Sequence, residues 1–376
     1  MSRPAAVLVD PAAITANVRA LHRLAPDSAL CAVVKADGYG HGAVAAARAA
    51  LAGGAEWLAV ALVSEGEELR RAGLDAPVLL LSEPRPEAMA AALAARLTPT
   101  LYTVEGIDAA AAAATGLGEQ WDVHLKVDTG MHRVGADPDE VVDLARRIAE
   151  HPQLRLGGTA THLAVADEPA RPETAQQLRR FHGALDRLAA AGIDPGLRHA
   201  ANSAGLIAHP DARLDMVRIG IAMYGIAPSP ELAGAVELRP AMSVRCAVSF
   251  VRSVAAGEGV SYGLRHRFAE PADLAVIPVG YADGVPRRLS ETGGEVLVAG
   301  RRCPIRGVVT MDQTVVEVTG GPPVRPGDEV VLLGVQGAEQ ITAQEWADRL
   351  GTIAYEVVCG FGPRLPREYP TEGCAG

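Results

Sequence analysis

From residue 29 onward, short apolar runs alternate with alanine-rich stretches whose apolar positions recur at helical spacing. The runs ALCAVVKA, EWLAVAL, PVLLLSE, TPTLYT, WDVHLKVDTG, LRLGGTATHLA, LRHAANS and MVRIGIAMYG read as strands. The stretches HGAVAAARAALAGG, SEGEELRRAGL, DPDEVVDLARRIAEH and RPETAQQLRRFHGALDRLAAAG read as helices, several opened by an Asp, Ser or Pro start signal. About eight strand–helix pairs is the number that closes a (β/α)8 TIM barrel, so an α/β fold is expected.

After Gly225 the helical repeats stop. SVRCAVSFVRSV, DLAVIPVGYADG, GEVLVAGRRCPIRGVV, QTVVEVTG and DEVVLLGV read as strands broken by Gly, Pro and Asp turns. A mainly β second domain is therefore expected over residues 236–376, after a barrel over residues 1–235, with APSPELAGAVELRP (227–240) as the linker. The early strand AVLVD precedes the eight, and residues 1–10 could pair with the second domain; the pattern leaves its partner open. A short helix, TAQEWADRLG, comes late, and Ala109 to Ala114 reads as a weakly specified helix.

Composition narrows the function. Hydrophobic residues make up 49% of the 376 but aromatics only 4%, so the apolar volume comes from Ala, Val and Leu in regular elements. A net charge of -10 argues against a nucleic-acid surface, which needs clustered Lys and Arg. No apolar run reaches the roughly 18 residues of a membrane span, and MSRPAAVLVD has no signal-peptide pattern, so a cytoplasmic protein with a small-molecule substrate is expected. Cys31, Cys246, Cys303, Cys359 and Cys374 show no CxxC or metal-ligand spacing; free thiols and no metal are expected.

In CAVVKADGYGHG, Lys35 ends an apolar strand and is followed by a glycine-rich turn. Alternation places Cys31, Val33 and Lys35 on one face, toward the barrel interior at the carboxyl end where barrels build their sites. Desolvation favours a neutral amine there, which can form a Schiff base with an aldehyde. Taken alone, Lys35 reads equally as a strand-end lysine with its head in water, and Ser203 as a helix cap.

The wider pattern decides. The lysine segment, KVDTGMHRVG, HAANS, MVRIGIAMYG, VSYG, PVGYADG and VTMDQ resemble, in this order, segments of the alanine racemase family. The resemblance runs from residue 7 to about 368 and implies a (β/α)8 barrel followed by a β domain. It implies pyridoxal 5'-phosphate held covalently by Lys35, with Tyr39, Ser203, Gly220 and Ile221 at the phosphate. Arg218 would face the pyridine nitrogen, and His162 would link Arg218 to the catalytic tyrosine, Tyr262. Arg133 would bind the cofactor oxygen and substrate carboxylate, and Lys126 matches a position often carbamylated. Tyr281, Met311 and Asp312 would line the entry. Lys35 and Tyr262 would be the two acid/base groups of an L/D-alanine interconversion, in a homodimer whose partner supplies Tyr262 and Met311, with the product available for peptidoglycan synthesis.

Two departures from the family pattern carry expectations. Position 363, where a tyrosine is expected, is proline, with Phe361 nearby; a phosphate contact would be lost and the pocket widened enough to admit serine. Thr310 replaces a common cysteine. Competing readings are a decarboxylase of the same barrel class, whose carboxyl-terminal cysteine motif is missing here, a racemase of that class for a different small amino acid, and a cofactor-carrying barrel without turnover, which would lack the second domain.

Overall fold

The computed structural model describes residues 4–370. Eight parallel strand positions follow one another: Ala29–Val33, Trp57–Val60, Val78–Leu80, Leu97–Thr98 with Thr100–Leu101, Trp121–Lys126, Leu154–Ala160, Leu197–His199 and Met216–Ile219. The fourth is split at Pro99, which has no N–H for a ladder; its carbonyl still accepts from His124 N–H at 2.9 Å. The eighth strand pairs in parallel with the first, Met216 opposite Ala29. Arg218 N–H donates to Ala201 O across the seam beside the seventh strand, so the ring closes. The runs are nearly continuous in apolar residues because both faces of such strands are covered.

The chain divides into two compact units. The barrel unit holds Ala12–Gly38 and Ala43–Arg239; the other holds residues up to Pro11, Tyr39–Gly42 and residues from Pro240 on. The AVLVD segment lies in the second unit. Ala5–Val9 pairs antiparallel with Met242–Ala247 and parallel with Arg367–Glu368. This sheet continues through Glu329–Gln336, Glu295–Val298 and Arg301–Pro304. The last two strands form a hairpin around Ala299 and Gly300, both at positive φ. Phe250–Val254, Ala272–Ile277 and Thr314–Glu317 make a second sheet. The late helix spans Ala343–Leu350, its N-terminus capped by Thr342, and a further short helix spans Ala354–Cys359.

Among the described residues no helix is long and apolar enough to cross a membrane. Among the described residues, Cys31, Cys246, Cys303 and Cys359 are not joined in disulfides; Cys374 lies outside the described residues.

The barrel's last segment is held by one buried side chain. Asn17 donates to the carbonyls of Met223 (3.1 Å) and Arg239 (2.8 Å), and its own carbonyl accepts from Arg239 N–H (2.8 Å). Removing it strands buried backbone groups, each with a desolvation penalty of about 1–3 kcal/mol. Asn17→Ala is therefore expected to lower the urea-unfolding free energy by about 2–4 kcal/mol; a loss under 0.5 kcal/mol in that titration would refute the clasp.

Candidate active site

The strand ends of the barrel gather most of the candidates. Lys126 is the last residue of Trp121–Lys126, Arg218 sits within Met216–Ile219, and His162 follows Leu154–Ala160 by two residues. Lys35 departs from expectation: its strand stops at Val33, so it opens the turn beyond the strand instead of sharing a face with Cys31 and Val33. That turn is left-handed. Ala36, Asp37, Gly38 and Tyr39 all have φ between 51° and 59°. Only Gly38 adopts this freely; a non-glycine residue there costs roughly 1–2 kcal/mol. The segment is held by named contacts: Gly38 N–H donates to Val34 O, Ala36 N–H to Glu65 Oε1, and Ala43 N–H to Asp37 Oδ1.

Arg218 is buried. Its Nη1 donates to His199 Nδ1 at 2.7 Å, and its Nη2 to Thr161 O, Ala200 O and, at 3.2 Å, His162 Nδ1. A guanidinium can only donate, so both histidines accept at Nδ1 and, when neutral, carry their proton on Nε2. His199 Nε2 then donates to His124 Nδ1 at 2.9 Å. His124 in turn is protonated at Nε2, which is buried without a hydrogen-bond partner among the described residues. Gly158 leaves room for that ring: a Cβ there would lie 2.8 Å from its Cε1.

Burial holds Arg218 down to about 10, still a cation at neutral pH, and pushes the thiol of Cys31, its strand neighbour, up to about 12. Burial, then the charge of Arg218 and the other cations, holds His162 well below its ordinary range. Lys126 falls to about 8 through burial and the charges of Arg218, Arg133 and Lys35, with Asp128 the carboxylate that opposes them. Lys35, Arg133 and Arg218 thus all lie within electrostatic reach of Lys126 and of His162. Asp128 also shapes the loop bearing Arg133, its Oδ1 accepting from the N–H groups of Gly130, Met131 and His132.

Ser203 and Gly220 meet, although not as expected. The cap of the helix Ser203–Ala208 is Asn202, whose side chain accepts from Gly205 N–H. Ser203 Oγ instead accepts from Gly220 N–H at 2.9 Å and Ala222 N–H at 3.4 Å. The Gly220 amide, expected to face the phosphate itself, orders the serine. Ile221 begins the buried turn that follows.

The other candidates belong to the β-rich unit. Tyr262 is 74% exposed on the turn between Gly259–Val260 and His266–Arg267. Tyr281 and Met311 are also exposed, on segments joined by Tyr281 N–H to Thr310 O and Ala282 N–H to Met311 O. Arg364 pairs with Asp312 at 2.7 Å and with buried Asp283 at 3.3 Å. Pro363 stands where the family resemblance implies a tyrosine; Tyr355, on the helix Ala354–Cys359, sits with its ring centroid 6.2 Å from that of Tyr39. Phe361 fills no gap there; it is buried with its ring 6.1 Å from Trp346. Burial raises the Tyr39 phenol, which stays protonated.

Sequence reasoning missed His124, His199, Asp128, Glu65 and Tyr355. A signal existed for the first: His124 and Lys126 are polar residues two apart in an apolar strand, hence on one face.

A barrel that gathers two lysines and two arginines beyond or at its strand ends, one guanidinium backed by neutral histidines, offers positive charge on the face where barrels build their sites. Residues 9–228 match the family model "Alanine racemase, N-terminal domain" and residues 241–369 the model "Alanine racemase, C-terminal domain". An alanine racemase of Symbiobacterium thermophilum is 50% identical over 370 residues, 98% of each chain, and one of Thermobifida fusca is 44% identical over 98% of this chain and 99% of its own. The crystal structure of alanine racemase from D-cycloserine-producing Streptomyces lavendulae superposes with a TM-score of 0.93 at 39% identity, covering 99% of this chain and 98% of that one. This chain belongs to the alanine racemase family.

The neutral histidines make a stability prediction. An unfolded histidine takes a proton near pH 6.5. Folded His124 resists until about 4, and His199 and His162 lie well below their ordinary value. Stability is thus full above about pH 6.5 and falls as pH drops, each retained neutral histidine contributing about tenfold in the unfolding equilibrium per pH unit. In urea titrations between pH 6.5 and 4.5, His124→Gln is expected to reduce the slope by one proton; an identical slope would show that His124 is charged when folded.

Proposed function

We propose that this chain interconverts L-alanine and D-alanine with pyridoxal phosphate as cofactor, Lys35 and Tyr262 moving protons at opposite faces of the substrate α-carbon. The observation that carries the reading is the excess of cations around Lys126 and His162, contributed by Arg218, Arg133 and Lys35, which calls for an anionic partner. The donor set suits this cofactor: hydroxyls and backbone amides at the ends of the seventh and eighth strands for a phosphate, a donor-only guanidinium for a ring nitrogen, and a lysine for the aldehyde. When bound, pyridoxal phosphate withdraws electrons from the α-carbon and so acidifies its proton.

Inversion needs removal from one face and delivery to the other, hence two groups. Lys35 Nζ serves the D-alanine proton and Tyr262 Oη the L-alanine proton. Arg218, unable to give up a proton, leaves the ring nitrogen unprotonated and so limits side chemistry. His162 passes the influence of Arg218 to Tyr262. Arg133 binds the substrate carboxylate, Tyr39, Ser203, Gly220 and Ile221 support the phosphate, with Gly220 acting through Ser203, and Tyr281 and Met311 narrow the entry. The exposure of Tyr262 and Met311 supports a homodimer in which each serves the partner's Lys35. We place the enzyme in the cytoplasm, where its D-alanine feeds peptidoglycan synthesis.

Subunit mixing tests the two-residue assignment. Lys35→Ala is expected to keep the fold and lose the cofactor's long-wavelength absorption, and Tyr262→Phe to be inactive. Exchange of subunits between them should restore about a quarter of wild-type racemisation, since half the dimers are mixed and one of two independent sites in each is whole. Proven exchange with no recovered activity would place both residues in one chain or remove Tyr262 from the reaction.

Lys126 fits a carbamate: with its ammonium lowered to about 8, a sizeable neutral fraction can add carbon dioxide, and the resulting anion clamps Arg133. Labelled carbon dioxide should give a carbamate carbon signal that Lys126→Ala abolishes. Full activity in protein lacking that signal would dismiss the role.

A further inference from the structure

The lysine turn has a feature that its motif does not explain. Residues Ala36, Asp37 and Tyr39 stand in left-handed conformation without being glycine. The first amides of any helical turn lack partners inside it, so the N–H of Ala36, the residue bonded to Lys35, must find one elsewhere. It finds Glu65 Oε1 at 2.7 Å. The other oxygen, Oε2, accepts from Ala61 N–H at 2.8 Å and Leu62 N–H at 3.0 Å. Those two amides lie just past the second barrel strand, Trp57–Val60, at the start of the helix Val63–Arg71.

One oxygen is enough to cap that helix, since the acceptor needed by Leu62 N–H is Oε2 alone. The second oxygen reaches across to the turn of the preceding strand. A carboxylate is the side chain suited to this: it accepts at both oxygens and donates at neither. Glutamine in its place would serve one side and present an N–H2 group to the donors of the other.

We infer that Glu65 is a positioning residue that holds the left-handed turn, and with it the backbone bearing Lys35, against relaxation to an ordinary conformation. The inference rests on the assignment of Lys35 as the cofactor lysine, but its physical content is the state of the Ala36 amide. It predicts a coupling. The tie is needed because Ala36 is strained, so Ala36→Gly, which adopts positive φ freely, lessens the effect of losing Glu65.

The test uses cofactor-free full-length protein. Hydrogen exchange is measured at the Ala36 amide, along with the rate at which added pyridoxal phosphate restores long-wavelength absorption. E65Q is expected to raise exchange at residue 36 by about tenfold or more and to slow the return of absorption by a similar factor, as loss of a charge-assisted hydrogen bond implies. The double variant E65Q/A36G should recover most of the absorption rate. Thr103→Ala, which removes the side-chain cap of the helix Val104–Leu117, controls for general loss of stability and should move neither readout. Unchanged exchange at residue 36 in E65Q, an E65Q defect that A36G does not relieve, or an equal defect in T103A would overturn the inference. Failure of the Lys35 assignment shows differently: K35A would regain the absorption while the exchange difference in E65Q persisted.

Discussion

Arg218 is a permanent cation inside a barrel, and its surroundings are arranged around what a guanidinium cannot do. It cannot accept a hydrogen bond and does not lose its proton at neutral pH. Every group it meets must therefore be an acceptor: two backbone carbonyls and the Nδ1 atoms of His199 and His162. That demand sets the tautomer of His199, and His199 sets that of His124. Positive potential from the same cation helps keep His162 neutral and lowers Lys126. A carboxylate beside Arg218 would have neutralised it at the first contact; imidazoles bind it without cancelling the charge, which stays available to an anionic ligand.

The same constraint explains how Lys126 differs from a surface lysine. Lys126 is buried, with Nζ 3.5 Å from Leu81 O and other cations nearby. Four causes, burial and the charges of Arg218, Arg133 and Lys35, lower its affinity for a proton, and Asp128, occupied with three loop amides, offsets them only in part. A cluster of this kind is tolerated in a folded protein because the barrel contributes its own stability through the apolar strands below the site, where Leu30, Leu58, Leu79 and Val217 are fully or almost fully buried.

Much of this was legible in order of residues. The eight strands announced themselves because parallel barrel strands are apolar on both faces, and the β-rich second half because its turns carry Gly, Pro and Asp. Lys35, Lys126 and Arg218 stood out as charges inside or beside apolar runs. What stayed hidden depends on three-dimensional pairing. Nothing in the letters KADGY indicates a left-handed turn, since Ala, Asp and Tyr take that conformation only when contacts such as the Glu65 tie compel it. His199 lay within a recognised motif, yet its role comes from Arg218, a strand away. Tyr355 was overlooked because its contact with Tyr39 joins residues more than 300 positions apart, which no local pattern announces.

The sheet of the β-rich unit carries a consequence for synthesis. Its strand Ala5–Val9 is made well before both of its partners, between which it lies: Met242–Ala247 and Arg367–Glu368. At about 5–20 residues per second, its first partner emerges on the order of ten to fifty seconds later. Through that interval the barrel can assemble beside an apolar strand that has both edges open. The newborn chain is then exposed to edge-to-edge association at that strand, and the appearance of its two partners, more than the pace of barrel folding, sets when the exposure ends.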